Sequence, residues 1–226
     1  LLNGSKFYVN PNEKTKYLRK AMQQYILEKE YEPETTKLVE SIVKNGDTVL
    51  DIGASIGYFS MTLAKCVGES GMVLSFQPTK PGFDYLCRNK EINNYSQIKP
   101  FNLAAWDKNE LVRMPMSSFA TNTQWCNGVN ISDFLEKNYE INKIDFIKMD
   151  IDGAEPWAIK GLIKIFKNNP NLKMICEYYP KYINASNGNP EEFLNILKEY
   201  FNLTIIDGDY GHGYWNYLCE RKTSSV

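Results

Sequence analysis

The sequence predicts an α/β fold built on a doubly wound, mostly parallel sheet, and three observations support this fold class. Short apolar runs alternate with segments of helical periodicity along most of the chain. The first run, which begins at Val49, ends at a carboxylate and a glycine turn that opens a helical segment. The last two runs, 203–207 and 214–220, are joined by a short glycine-rich link. This final pair predicts an antiparallel strand at one edge of the sheet.

The composition is that of one globular domain without a strong charge. The chain has 226 residues, of which 43% are hydrophobic and 23% are charged, and its formal net charge is -1. This balance gives no electrostatic reason to expect nucleic acid or an anionic membrane as a partner. No apolar run approaches the roughly 20 residues that span a bilayer. The five cysteines are scattered and odd in number, so we expect neither a disulfide framework nor a metal cluster, and we expect a cytoplasmic location.

Two helical segments precede the first strand. Residues 13–30 have apolar side chains on one stripe, and the break at Glu32 and Pro33 starts a second helix that ends near Gly46. We therefore expect residues 1–45 to form a helical arm or cap, appended to a domain of residues 46–226. The two helices either cover the sheet as simple packing or form a lid over a pocket.

The remaining elements alternate along the chain. After the glycine turn, strands are predicted over 72–76, 97–101, 145–150 and 172–176, and helices over 82–93, 131–138, 154–167 and 190–200. Asn130 or Ser132 is expected to cap the helix over 131–138. Residues 104–128 are rich in Ser, Thr, Asn and Met and are expected to be irregular, with a hairpin near 111–114.

The glycine turn after Asp51 is typical of a small-molecule site at a strand–helix junction. The helix that follows offers free backbone N–H groups and the positive end of its dipole to an anionic group. The dinucleotide fingerprint has glycines where Ser55 and Tyr58 stand, which disfavours a nicotinamide enzyme. The turn suits a ligand that carries a carboxylate and an amine. A tight turn without any ligand is the alternative.

Polar residues end five successive predicted strands. They are Asp51, Gln77, Asn102, Asp150 with Asp152, and Glu177. Ligands of such sheets bind outside the carboxyl ends of the strands, so these side chains are expected to face one pocket. Gln77 follows Gly57 by about 20 residues, where nucleotide-binding folds have a ribose-binding acid. An amide can also bond hydroxyls, but it lacks the charge of a carboxylate.

Three motifs occur in order along the chain, at 51–60 (DIGASIGYFS), 76–78 (FQP) and 147–155 (IKMDIDGAE). Together they resemble the FkbM-type methyltransferases, a branch of the class I S-adenosylmethionine-dependent enzymes. Residues 31–35 and 216–219 are also similar, so the resemblance covers most of the chain. It implies a seven-stranded, Rossmann-like methyltransferase sheet with appended N-terminal helices and with S-adenosylmethionine over the ends of the first two strands.

The resemblance also implies which residues hold the cofactor. The methionine part would lie at Asp51 and the turn 53–57, the ribose at Gln77 and the adenine near 102–105. The expected cofactor-binding residues are Glu32, Asp51, Gly53, Ala54, Ser55, Gly57, Tyr58, Gln77, Asn102, Ala104 and Asp150. The family usually has asparagine in place of Ser55, glutamate in place of Gln77 and glutamate in place of Asp152.

The activity implied by the resemblance is O-methylation, often of a sugar or natural-product hydroxyl, with a small-molecule or glycan acceptor as the partner. A hydroxyl needs a base or a metal to take its proton. Asp150 and Asp152 are the first candidates for the catalytic base, and His212 is either a base or an exposed loop residue. Glu177 could complete, with both aspartates, an oxygen-ligand set for a divalent cation such as Mg²⁺.

Two alternatives stay open at this point. A group of aromatic residues either stacks on the acceptor or packs in the ordinary way, namely Tyr178, Tyr179, Tyr182, Tyr210, Tyr214 and Trp215. The second hypothesis for the whole chain, motivated by Gln77, is a catalytically reduced module that keeps the fold for binding or as a scaffold.

Overall fold

The computed structural model describes residues 4–15, 18–19, 22–23, 31–115, 123–209, 211 and 213–222. Within these residues the helices are α1 (Pro33–Ile42), α2 (Tyr58–Val67), α3 (Lys80–Asn93), α4 (Ile131–Tyr139), α5 (Glu155–Ala158), α6 (Ile163–Asn168), α7 (Pro180–Ala185) and α8 (Pro190–Tyr200). A 3₁₀ helix, Ile159–Leu162, joins α5 to α6. The strands are β1 (Thr48–Ile52), β2 (Met72–Phe76), β3 (Ile98–Phe101), β4 (Ala104–Trp106), β5 (Glu110–Pro115), β6 (Thr123–Asn130), β7 (Phe146–Met149), β8 (Lys173–Tyr178), β9 (Phe201–Asp209) and β10 (Tyr214–Arg221).

Seven strands form the main sheet, in the order β3-β2-β1-β7-β8-β10-β9. β1 pairs in parallel with β2 on one side and with β7 on the other. The chain runs outward from β1 to β3 and later adds β7 on the opposite side of β1, so the strand order reverses between β1 and β7. In open α/β sheets, ligands bind at this reversal, outside the carboxyl ends of the strands. The predicted fold class and the seven-stranded sheet are confirmed.

The antiparallel strand is β10, which pairs with both β8 and the edge strand β9. It lies one place in from the edge of the sheet. The pairing of β10 with β9 shifts in register between Asn216 and Tyr217. Beside this irregularity, Asn216 Nδ2 donates to Asp207 Oδ1 at 2.8 Å. The bond fixes Asp207 near the same end of the sheet as the carboxyl ends of β7 and β8.

A second sheet, in the order β4-β6-β5, occupies the described part of residues 104–130, and the prediction of an irregular segment there is wrong. β5 and β6 pair antiparallel, with the buried Val112 opposite the buried Cys126. Leu111 and Trp125 lie on the outer face and are 65% and 68% exposed. The alternation typical of strands is therefore present. It is hard to detect in the sequence because polar residues stand between the apolar ones.

The helix predicted over 154–167 is divided into α5, the 3₁₀ helix and α6. The division falls at Gly161, which packs on the second sheet. The contact is so close that a Cβ on Gly161 would lie 2.1 Å from the carbonyl oxygen of Trp106. Ser132 Oγ also donates to the carbonyl oxygen of Gly161 at 2.7 Å. These two contacts favour the tighter 3₁₀ geometry at this point.

The hydrophobic core lies on both faces of the main sheet. In β1, Leu50 and Ile52 pack in the layer that contains α5, α6 and α8, whereas Val49 packs in the layer that contains α1, α2 and α3. All four residues of β7 are buried, as expected of a parallel strand covered on both faces. One of the four is Lys148, which is a charged residue in the middle of this core.

The described part of the N-terminal segment packs on the α2 side of the sheet. Leu18 and Met22 are buried in one cluster with Val39 of α1 and Val49 of β1. Most of the helix predicted over 13–30 lies outside the described residues. The division into a cap of residues 1–45 and a domain of residues 46–226 stays a prediction.

Among the described residues, none of the helices combines the length and the apolar character needed to cross a membrane.

Candidate active site

The glycine turn, residues 53–57, connects the end of β1 to α2 at the reversal of strand order. The backbone N–H groups of Gly53 and Ala54 both donate to the carbonyl oxygen of Phe76, at 3.0 and 3.1 Å. Gly53 has a φ of +92°, and a Cβ there would lie 1.9 Å from the carbonyl oxygen of Asp150. Only glycine therefore allows the end of β1 to pack this closely on the end of β7.

The N-terminus of α2 is open towards this turn. Gly57 is the N-cap residue, with a φ of 96° and no side chain of its own to cap the helix. The backbone N–H of Ser60 in the first turn bonds the Asp51 carboxylate, and the helix dipole favours a further anionic group at this end of α2. This geometry fits the expectation that the turn binds a carboxylate.

Asp51 lies beneath the turn and is only 2% exposed. Its carboxylate accepts a hydrogen bond from Ser60 Oγ, and Ser60 also bonds Ser75 Oγ at 2.9 Å. Burial raises the pKa of Asp51 to about 6, against the opposing effects of the Ser60 hydrogen bond and the Lys148 ammonium. In this position Asp51 supports the start of α2 from below.

Gln77 ties the end of β2 to the glycine turn. Its Oε1 accepts from the backbone N–H of Ser55 at 2.8 Å, and its Nε2 donates to Thr79 Oγ1 at 2.7 Å. Asn102 Nδ2 donates to the carbonyl oxygens of Gln77 and Pro78, both at 2.9 Å. The predicted residues Ser55, Gln77 and Asn102 thus form one network across the ends of three strands. Ala104 is buried in the neighbouring second sheet.

Lys148 lies among the carboxylates at the strand ends, and the sequence did not predict this role. Its side chain is 1% exposed, and its Nζ lies 3.4 Å from Asp150 Oδ2 and 3.8 Å from Glu32 Oε2. The ammonium also lies 4.8 Å from the centre of the Phe59 ring. Burial by itself lowers the pKa of Lys148. The pKa is nevertheless raised overall, because four nearby carboxylates together outweigh burial, namely Glu32, Asp150, Glu177 and Asp51. The only signal in the sequence was a lysine inside an apolar strand.

Asp150, Asp152 and Glu177, which we term the acidic trio, come together as predicted. Each offers an oxygen, and these oxygens lie within 4.8 Å of one another. Burial raises the pKa of Glu177 well above its usual range, and Asp150, Glu155 and Asp152 add to the rise. The trio is therefore a set of oxygen donors that could share a proton or a hard cation. His212, the third candidate base, lies outside the described residues.

Glu155 is a further carboxyl group beside the acidic trio. It is 1% exposed, and its Oε1 accepts from the backbone N–H of Ile151 at 3.0 Å. Its Oε2 is buried without a hydrogen-bond partner in the described part of the chain. Burial raises the pKa of Glu155 to about 8. The group is consequently mostly protonated at neutral pH, which limits the repulsion between Glu155 and the trio.

Tyr179, Tyr182 and Tyr214 form a tyrosine group next to the acidic trio. The ring centres of Tyr179 and Tyr182 are 4.1 Å apart, and those of Tyr179 and Tyr214 are 5.6 Å apart. A Cβ on Gly153 would lie 2.5 Å from the carbonyl oxygen of Tyr182, which shows that α7 packs directly on the turn that follows β7. Burial raises the pKa of Tyr214, as do the nearby carboxylates, Asp207 and Glu177 first among them.

The other predicted aromatic residues behave differently. Tyr178 is 9% exposed and packs against Phe193 and Trp215, with ring centres 6.2 and 5.9 Å away, so Tyr178 and Trp215 belong to ordinary packing. Tyr210 lies outside the described residues.

Residues 51–203 match the family model for the methyltransferase FkbM domain. The chain belongs to the FkbM methyltransferase family. It is accordingly an S-adenosylmethionine-dependent methyltransferase, and the resemblance found from the three motifs is confirmed. A search of curated proteins finds no significant match to the chain.

Solved structures share the fold of this FkbM methyltransferase at low sequence identity. The methyltransferase FkbM from Methylobacillus flagellatus KT is 18% identical with a TM-score of 0.53, and the alignment covers 88% of this chain and 52% of that one. An O-methyltransferase from Bacillus cereus in complex with S-adenosylhomocysteine is 16% identical with a TM-score of 0.58, over 94% and 93% of the two chains. An rRNA methylase from Streptococcus thermophilus is 9% identical with a TM-score of 0.57, over 84% and 95%.

Proposed function

We propose that this FkbM methyltransferase transfers a methyl group from S-adenosylmethionine to a hydroxyl of a sugar or other small glycan acceptor. The observation that carries the proposal is the tyrosine group beside the acidic trio. The C–H face of a sugar ring packs on aromatic rings, while its hydroxyls donate to carboxylates in charge-assisted hydrogen bonds. The presence of both features at the carboxyl ends of β7 and β8 suits such an acceptor.

The cofactor would lie on the other side of the strand reversal. When bound, S-adenosylmethionine supplies an activated methyl group on its sulfonium. The N-terminus of α2 and the turn 53–57 would hold its carboxylate, with Glu32, Tyr58 and Asp150 nearby. Gln77, Asn102 and Ala104 would lie along its nucleoside. The tight contact between Gly53 and the Asp150 carbonyl supports this arrangement, because it brings the cofactor turn directly against the strand that carries the proposed base.

The acidic trio would supply the base that takes the acceptor proton. Asp150 Oδ2 accepts a hydrogen bond from the Lys148 ammonium at 3.4 Å. Asp152 is exposed and follows β7 with a left-handed φ of 55°, which turns it away from the strand. Burial raises the pKa of Glu177 well above its usual range, so its carboxylate holds a proton more strongly than an ordinary glutamate does. We therefore add Glu177 to Asp150 and Asp152 as a candidate base.

A divalent cation is the second way in which the trio could activate a hydroxyl. Mg²⁺ prefers oxygen ligands, and three carboxylates would satisfy part of its coordination shell. Dialysis against EDTA followed by addition of Mg²⁺ or Ca²⁺ would test this proposal. Loss of activity that Mg²⁺ restores would support a metal, and full activity in EDTA would leave the trio as a purely acid–base site.

Methyl transfer to a panel of acceptors tests the main proposal. The enzyme would be incubated with methyl-labelled S-adenosylmethionine and with mono- and oligosaccharides, and RNA would be a parallel arm because rRNA methylases share the fold. We expect labelled O-methyl sugar, and we expect Tyr179→Ala to lose it while Tyr139→Ala, at the far end of α4, keeps it. Methylated RNA, or cofactor binding without transfer to any sugar, would overturn the proposal.

A further inference from the structure

Lys148 is a buried cation whose two close partners come from different parts of the chain. Lysine is rarely buried in full unless its charge is paired. Asp150 comes directly after β7, the strand that contains Lys148, whereas Glu32 immediately precedes α1. The ammonium therefore connects the strand that carries the acidic trio to the N-terminal segment.

Glu32 has an unusual local structure for a residue that makes a simple surface ion pair. Its φ is 45°, a left-handed conformation that is costly for a residue with a Cβ. Its Oε2 is buried and has no hydrogen-bond partner among the described residues. Burial raises the pKa of Glu32, and the Lys148 ammonium opposes this rise. The ion pair with Lys148 accounts for both the strained backbone and the buried carboxylate of Glu32.

The start of α1 is otherwise attached by uncharged side chains, among them the buried Thr36, whose Oγ1 donates to Tyr58 Oη at 3.5 Å. Tyr31 packs edge-on against Tyr58, with ring centres 5.3 Å apart. Thr35 Oγ1 donates to Asp207 Oδ2 at a long 3.3 Å. The ion pair is consequently the contact that brings a charged group of this segment next to the glycine turn and the acidic trio.

We propose that Lys148 is a positioning residue that holds the Glu32 carboxylate, and with it the start of α1, against the strand ends, so that the N-terminal segment forms one wall of the cofactor site. This inference rests on the proposed function for its consequence, which is the affinity for the cofactor. That Lys148 fixes the start of α1 follows from its contacts with Glu32 and Asp150 and does not depend on the proposed function.

The test compares three variants with the wild-type protein. Lys148→Met keeps the length of the side chain but removes the charge. Lys148→Met combined with Glu32→Gln also removes the carboxylate that would otherwise be left buried and unpaired. Lys173→Met is the matched control, since Lys173 also lies on a strand and is paired with Glu220, but it is 41% exposed and lies away from the site.

Hydrogen–deuterium exchange of α1, with β2 as internal reference, reads out the position of the segment. In Lys148→Met we expect exchange of α1 to rise about tenfold while β2 keeps its protection. We expect the dissociation constant for S-adenosylhomocysteine, measured by calorimetric titration, to rise roughly tenfold. The double variant is expected to recover thermal stability but neither the protection of α1 nor the affinity. Lys173→Met is expected to change none of these quantities.

The double variant keeps the inference falsifiable if Lys148→Met alone does not fold. Unchanged exchange of α1 in either Lys148 variant would overturn the positioning role, and so would recovery of the affinity together with the stability in the double variant. If the wild-type protein bound no S-adenosylhomocysteine, the proposed function would fail, but the exchange data would still decide whether Lys148 positions α1.

Discussion

Replacing Gly53 with alanine tests whether the contact between the glycine turn and β7 builds the cofactor site. An added Cβ would lie 1.9 Å from the Asp150 carbonyl oxygen, whereas an ordinary contact begins at 3.4 Å, so the two strand ends would have to separate. The left-handed backbone costs an alanine about 1–2 kcal/mol. The displaced packing adds about 1–3 kcal/mol. We expect Gly53→Ala to lower the free energy of unfolding by about 2–5 kcal/mol and to weaken S-adenosylhomocysteine binding at least tenfold.

Gly46→Ala is the matched control for this change. Gly46 has nearly the same dihedral, with a φ of +87°, but an added Cβ would meet only Ser70 Oγ, at 3.7 Å. It also precedes β1, at the opposite end of that strand from the site. Gly46→Ala is therefore expected to lose about 1–2 kcal/mol through its backbone alone and to bind the ligand like the wild-type protein. Urea denaturation and calorimetric titration give the two quantities for each variant.

Two results would refute this reasoning. Equal losses of stability in the two variants would mean that the contact between Gly53 and Asp150 contributes nothing beyond the dihedral. Unchanged ligand affinity in Gly53→Ala would mean that the turn does not form the cofactor site.

Three further predictions concern the polar residues of the site. Gln77→Glu gives the ribose a charged acceptor, so calorimetric titration should show about fivefold to tenfold tighter binding of S-adenosylhomocysteine; an unchanged affinity would argue against contact with the ribose. Glu155 has its pKa raised from 4.5 to about 8, so its contribution to stability is present below pH 4.5 and is lost as the pH rises through 8. As the pH rises from about 5 to about 8, the free energy of unfolding of Glu155→Gln, measured by urea denaturation, should therefore gain about 3 kcal/mol relative to that of the wild-type protein. The exposed control Glu91→Gln should show no such gain. Asp150→Asn should abolish methyl transfer while the protein stays folded by circular dichroism, and retained activity would remove Asp150 from the mechanism.

The order of strands and helices was predictable because the main sheet is covered on both faces. Strands such as β7, in which every residue but Lys148 is apolar, then stand out in the sequence, and turn residues separate them from amphipathic helices. Local chemistry also fixed details such as the cap of α4, where Asn130 Oδ1 accepts from the backbone N–H of Asp133 at 3.1 Å. The second sheet was missed because its strands are half exposed and separated by polar residues, so neither a continuous run nor a clear alternation marks them.

The candidate site was predictable as a set of strand ends but not as a set of partners. The ends of parallel strands meet at one edge of a sheet, which is why Asp150, Asp152 and Glu177 could be grouped from the sequence. The partners of Lys148 and Gln77 depend on tertiary structure. Glu32 reaches Lys148 only because α1 folds back over the strand ends, and Gln77 bonds both the backbone N–H of Ser55 and the hydroxyl of Thr79.

The two halves of the site are joined through a single residue, and this has a consequence for catalysis. The carbonyl oxygen of Asp150 packs on Gly53 of the cofactor turn, while its carboxylate faces Lys148 and the rest of the acidic trio. Methyl transfer requires the acceptor oxygen, the methyl carbon and the sulfur to lie in line, and small misplacements are costly for such a reaction. Because the turn packs on the strand end that carries the proposed base, the distance between cofactor and base does not depend on a mobile loop. A variant that separates β1 from β7, such as Gly53→Ala, should consequently lower the turnover number even when the cofactor is saturating, and a loss confined to affinity would contradict this coupling.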